Sequence, residues 1–238
     1  MTRLSLFVSA LLLVALGCDG LPGRPDPADR YQRPDEITDF DALYAVNCSG
    51  CHGEGGQSGP ATPVGDPVYA ALAEPAYLGQ VIAGGVPGTP MPFFAVKNGG
   101  TLTDEQVSIL VRGLKARGVA ADLGPAPVPA LVASKSQLEQ AELGRGERAY
   151  GEFCARCHGV GGSGGESAGS IVEPAYLGLV SDQALRTAVM AGRNDLGMPG
   201  WLKVGKRPMA PQEIGDVVAW LASKRPATAA SSRVRDGK

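Results

Sequence analysis

Two five-residue stretches, Cys48-Ser49-Gly50-Cys51-His52 and Cys154-Ala155-Arg156-Cys157-His158, hold four of the chain's five cysteines and both of its histidines. A disulfide framework or a set of core thiols would not put every histidine directly after a cysteine pair. The surrounding sequence repeats with them. At a constant offset of 107 positions, Pro67-Val68-Tyr69 falls on Pro174-Ala175-Tyr176, Gly85 on Gly192, Met91-Pro92 on Met198-Pro199 and Leu114 on Leu221. Upstream the offset is 106, which matches Tyr44 to Tyr150 and motif to motif, so a single one-residue gap joins the two registers. A period this long is domain duplication, not a solenoid. The hexapeptide Glu-Pro-Ala-Tyr-Leu-Gly stands at both 74–79 and 173–178, but aligning on it needs a seven-residue insertion and a compensating deletion. Pro67 and Pro174 are therefore the expected counterparts.

Each copy reads as helical throughout. Thr38 or Asp39 can cap a helix over Phe40 to Asn47, and Ser136 can cap one over Gln137 to Phe153. A Gly-rich loop follows each motif, then a middle helix around 76–83 or 182–191, where apolar residues recur at helical spacing. Closing helices start at Thr103-Asp104-Glu105 and Pro211-Gln212-Glu213, with apolar stripes Val107, Leu110, Val111, Leu114 and Ile214, Val217, Val218, Leu221. No segment reads as a strand, so the expected fold class is all-α: two tandem domains, 38–118 and 136–225, joined by a Pro/Ala-rich linker at 119–135. The polar segment 226–238 reads as a disordered tail. The Gly-rich loops lack a Gly-Lys-Ser/Thr ending and are not nucleotide loops.

Cys-x-x-Cys-His is the attachment signature of c-type haem. On one helical turn the two cysteines share a face and can each add across a haem vinyl group, while the next residue directs an imidazole at the iron. A zinc site would need the two pairs together, yet they belong to separate copies; a thioredoxin-like pair would need a βαβ unit, which is missing. Domains of this size, with aromatics at only 5% and 34 glycines, hold too little core to stand alone, and a large apolar cofactor would complete each one. Two haem c groups are expected, on Cys48, Cys51 and His52 and on Cys154, Cys157 and His158.

No histidine is left for a sixth ligand, which points to methionine thioether, a soft ligand that favours the reduced iron. The first copy offers Met91 alone; the second offers Met190, Met198 and Met209. The repeat register selects Met198, which like Met91 precedes a proline. Met190 aligns with Ala83 inside a helix and Met209 with Leu102 before the closing helix, both packing positions, with Met209 as the alternative ligand. The proline after each methionine denies a helix there and stiffens the loop. Tyr69 and Tyr176 read as core aromatics with a propionate contact as the alternative, and Trp220 as packing on the cofactor or the first helix. Lys203, Lys206 and Arg207 read as a solvated basic loop, with a docking rim as the alternative.

Residues 1–17 read as an export signal: Arg3, then an apolar run from Leu4 to Leu16, too short for the roughly 20 residues of a bilayer span. The run ends Ala15-Leu16-Gly17-Cys18, which resembles a lipoprotein cleavage box, with Leu16 departing from the usual small residue. Lipidated Cys18 followed by a Pro-, Gly- and charge-rich tether, 18–37, would hold the protein on the extracytoplasmic face of a membrane. Ordinary signal cleavage leaving an unused Cys18 is the alternative. The net charge of −2 argues against a nucleic-acid partner.

Two Cys-x-x-Cys-His units, each with a Met-Pro loop and a closing apolar helix, resemble class I cytochrome c, and their duplication is similar to the di-haem cytochromes of the c4 type and to di-haem oxidase subunits. The resemblance covers about 38–225. It implies a carrier of single electrons, not an enzyme, between a quinol-oxidising complex or dehydrogenase and a terminal oxidase or reductase. The lipobox and tether depart from the soluble c4 plan. The rival readings are a di-haem peroxidase, which a missing third histidine disfavours, and a cytochrome subunit held tightly in a larger respiratory complex.

Overall fold

The computed structural model describes residue 26, residues 31–125 and residues 127–226. The signal segment, Cys18, most of the tether and nearly all of the tail lie outside the described residues. The chain divides after Ile37, and both copies belong to the unit that begins at Thr38. Among the described residues there is no strand, only two isolated bridges, Ala95 with Leu102 and Arg193 with Met198. No described helix is long and apolar enough to cross a membrane.

The first copy consists of α1 (Phe40–Asn47), α2 (Ser49–His52), α3 (Pro67–Leu72), α4 (Pro75–Gly84) and α5 (Asp104–Ala116). Asp39, not Thr38, caps α1 by accepting the Ala42 N–H. Asp66 caps α3 through the N–H groups of Val68 and Tyr69. Thr103 and Gln106 cap α5 reciprocally, each side chain bonded to the other's backbone N–H. The second copy follows α6 (Lys135–Glu139) with α7 (Leu143–Phe153), α8 (Ala155–His158), α9 (Pro174–Leu179), α10 (Asp182–Ala191) and α11 (Pro211–Ser223). Shifted by 107, the bounds of α3, α4 and α5 fall on those of α9, α10 and α11. The repeated hexapeptide thus opens α4 in one copy and α9 in the other, at non-equivalent places, as the gapless register requires.

The single helix expected over Gln137 to Phe153 is two. Ser134 caps α6 through a reciprocal box with Gln137, which leaves Ser136 inside the first turn. The chain then breaks at 140–142 because buried Asp216 accepts the Glu142 N–H at 2.8 Å and Arg145 reaches back to the Gln140 carbonyl at 2.7 Å. Asp216 also takes the Arg145 guanidinium at 2.8 Å and Gln212 at 3.1 Å, joining α7 to α11.

The linker is anchored at Ala130 and Leu131. Leu131 is buried, and its carbonyl accepts from Arg186 Nε at 2.9 Å and Gln183 Nε2 at 3.0 Å, while Arg186 Nη2 takes the Ala130 carbonyl at 2.7 Å. Two cations close equivalent helix ends by different routes. Lys115 Nζ satisfies the carbonyls of Ala70, Ala71 and Ala73 after α3, and Arg225 does the same for Leu177 and Val180 after α9.

Candidate functional site

Each motif begins where the first helix of its copy ends. The Cys48 N–H donates to the Tyr44 carbonyl and the Cys154 N–H to the Tyr150 carbonyl, both at 2.8 Å. One further turn, α2 or α8, then carries the second cysteine and the histidine. Cys51 and Cys157 are exposed, Cys48 and Cys154 half-buried, and none of the four is in a disulfide. Burial pushes the Cys48 and Cys154 thiols up to about 11, which keeps them neutral at physiological pH.

The glycine after each histidine turns the chain sharply. Gly53 has φ 82° and Gly159 φ 75°. A Cβ on Gly53 would lie 1.8 Å from the Gln57 carbonyl oxygen, and one on Gly159 1.9 Å from that of Gly164. The turn brings the two glycine carbonyls to tyrosine hydroxyls of the first helices: Tyr44 donates to Gly53 at 3.1 Å and Tyr150 to Gly159 at 2.8 Å. It also folds the Gly-rich loop back over the imidazole. His52 Nδ1 lies 2.7 Å from the Thr62 carbonyl, and His158 Nδ1 lies 3.4 Å from the Gly169 carbonyl. A carbonyl only accepts, so each Nδ1 carries the proton and each Nε2 keeps its lone pair free for a metal. The Gly-rich loop therefore sets the histidine tautomer.

The two methionine loops leave the middle helices at Gly85 and Gly192, with φ 67° and 82°. A Cβ at either glycine would crowd the facing Met91 or Met198 carbonyl, at 2.7 and 2.6 Å. Met91 and Met198 are half-buried. Met190 is fully buried in α10 and Met209 is 3% exposed, its N–H bonded to the Trp201 carbonyl as that of Leu102 is to Phe94. Both occupy packing positions.

Of the lesser candidates, Tyr69 is buried in the core, whereas Tyr176 is partly exposed beside Arg193. Trp220 stacks at 4.5 Å on Tyr150 of the first helix. Arg207 is held by Glu213 at 2.7 Å and Glu152 at 3.2 Å and lies over the Phe153 ring, so it belongs to a surface ion cluster, while Lys203 and Lys206 stay exposed. Sequence reasoning missed the carbonyls of Thr62 and Gly169, which no side chain marks, and Gly53 and Gly159, which the repeat register does mark.

Paired accessible thiols, an imidazole with Nδ1 committed, and a glycine turn that clears space fit a covalently held haem in each copy. Two such helical units in tandem define a class, the di-haem class I cytochromes c. Residues 35–112 and 141–221 match the family described as cytochrome c oxidase, cbb3-type, subunit III, and the chain belongs to that family. Membership implies covalently bound haem c and an electron-carrying role, and the two matched regions fit two haems. Among solved structures, a chain of the Kuenenia stuttgartiensis reducing HAO-like protein complex is similar over 82% of this chain and 100% of its own length, with 19% identity and a TM-score of 0.43. No curated protein matches.

Proposed function

We propose that this protein is a di-haem electron carrier anchored by lipidated Cys18 to the extracytoplasmic side of a membrane. It passes single electrons from a quinol-oxidising complex or dehydrogenase to a terminal oxidase or reductase. In the first copy Cys48 and Cys51 hold the haem and His52 and Met91 the iron; in the second, Cys154, Cys157, His158 and Met198 do so. Haem c supplies a one-electron ferric–ferrous couple at each site. The chain's own residues do the rest. The Thr62 and Gly169 carbonyls orient the imidazoles and raise their basicity. The Met-Pro loops present a soft thioether and close the sixth position to other ligands.

The observation that carries this reading is the pairing of each histidine Nδ1 with a carbonyl of the loop that follows its own motif, His52 with Thr62 and His158 with Gly169. Such pairing orients the ring and commits Nδ1 as a donor, as a metal ligand bound through Nε2 requires. Carbon monoxide added to the reduced, matured protein tests it. An unchanged spectrum at both haems is the expected result; rapid binding at either haem means an open iron and overturns the carrier in favour of a haem enzyme. The family description favours a second reading, a cytochrome subunit that stays bound in a larger oxidase. Comigration with a large complex after mild detergent extraction would establish it, and migration alone would establish the free carrier.

A further inference from the structure

The two methionine loops have the same length but close differently. In the first copy the Val86 N–H donates to the Met91 carbonyl at 3.1 Å, and the turn is completed internally by Thr89, whose hydroxyl donates to the Val86 carbonyl and accepts the Met91 N–H at 3.2 Å. In the second copy Leu196 stands at the place of Thr89 and is exposed, and no such side chain exists. Arg193, the counterpart of Val86, makes both bonds with Met198 through its backbone, at 2.9 and 3.0 Å.

Arg193 is held both within its own loop and by the other copy. Its guanidinium grips Asp195 and donates to the Gly59 carbonyl at 3.2 Å. The Asp195 carboxylate is 3% exposed. Asn194 donates to the second oxygen of Asp66 at 2.8 Å, the same carboxylate that caps α3. Ser58 has φ 63°, the one described non-glycine residue in the left-handed region. That conformation costs energy and lasts only where neighbours enforce it. Copy one has Val86, Pro87 and Gly88 at these three places, so none of this polar chemistry follows from the duplicated fold.

We propose that Arg193, Asn194 and Asp195 are positioning residues that make the Met198 loop depend on the loop following the first Cys-x-x-Cys-His motif. The thioether at the second haem is then held in place by the docking of the two copies, whereas Met91 at the first is held by its own loop. This rests on Met198 being the iron ligand. The arrangement couples the ligation, and hence the potential, of one haem to the loop that sets the histidine of the other, through packed side chains with named partners.

The test uses the full, haem-loaded chain. Arg193→Val, which installs the residue of copy one, is expected to speed carbon monoxide binding at the second haem about tenfold. It should also weaken the near-infrared band of its Met-ligated ferric form and leave the first haem unchanged. Adding Leu196→Thr, which lets the loop close internally, is expected to restore both signals, a rescue that general destabilisation would not give. Asn194→Ala, a milder cut that removes the Asp66 contact, should move the second haem in the same direction by a smaller factor. Met198→Leu separates the two ideas. If it leaves the second haem closed, the ligand assignment fails. If it opens that haem while Arg193→Val and Asn194→Ala do not, the assignment stands and the coupling is overturned.

Discussion

The phenyl ring of Phe40 fills the space that a side chain on Gly113 would take: a Cβ there would lie 2.0 Å from the ring. The second copy reverses the pair. Its position equivalent to Phe40 is Gly146, its position equivalent to Gly113 is Trp220, and a Cβ on Gly146 would lie 2.1 Å from the Asp216 carbonyl oxygen. Both copies cross first and closing helices with one bulky ring and one glycine, but opposite helices supply them. Gly113→Ala should cost about 1–3 kcal/mol by overpacking, and Phe40→Leu should recover part of it because the clash is with a side chain. Gly146→Ala should cost at least as much, and trimming Trp220 should recover nothing because the clash is with backbone. Denaturant unfolding of the haem-loaded variants measures both.

The second copy's methionines differ in burial: Met209 is 3% exposed and Met198 half-buried. Met209→Leu, at a packed site that accepts a similar volume, should cost less than about 1.5 kcal/mol and leave the second haem closed to carbon monoxide. Met198→Leu should have the opposite profile, little change in stability of the polypeptide fold and an open iron. Carbon monoxide spectra recorded beside thermal unfolding distinguish the two, and an open iron in Met209→Leu would transfer the ligand role to Met209.

Much of this was legible because the chain is written twice. Helix bounds that coincide after a shift of 107 follow from apolar stripes and caps that recur at the same places. The register is blind where the copies differ. Arg186 has Gly79 as its counterpart, Asp216 has Ile109, and Arg193 has Val86, and each makes a contact that exists only in the second copy. Contacts to backbone carbonyls, such as those of Thr62, Leu131 and Gln140, leave no mark on residue identity at all. The broken helix at 140–142 was missed because Asp216, which causes the break, lies 74 positions from Glu142 in sequence.

Asp216 makes the fold sensitive to acid. Burial alone would raise its carboxyl, but hydrogen bonds from Arg145, the Glu142 N–H and Gln212 outweigh that and hold it below the usual carboxylate range. A group depressed in the folded state contributes stability that is fully present above its unfolded value, about 3.9, and is lost as pH falls through the folded value. Asp216→Asn should therefore be less stable than the parent at neutral pH, by about 1–3 kcal/mol. The gap should narrow as pH drops below about 4. Unfolding midpoints across that range check it, and a gap that widens in acid would show that the carboxylate is not what joins α7 to α11.

Arg186 decides whether the segment between the copies behaves as a linker or as part of the second domain. Its side chain is 3% exposed, and burial lowers its pKa, yet its partners are neutral backbone carbonyls of Ala130 and Leu131. A cation is tolerated there because its Nε and Nη2 are satisfied by those two oxygens, of which the one on buried Leu131 needs donors in turn. Arg186→Leu removes the charge and the donor to Ala130 and leaves buried Leu131 with Gln183 alone, at a cost of about 2 kcal/mol. Since the loss falls on the linker, the earliest change should be local: limited proteolysis should cut between 119 and 134 faster in the variant, with the haem spectra unaltered. Equal cleavage rates would mean that burial of Leu131, not the guanidinium, holds the segment down.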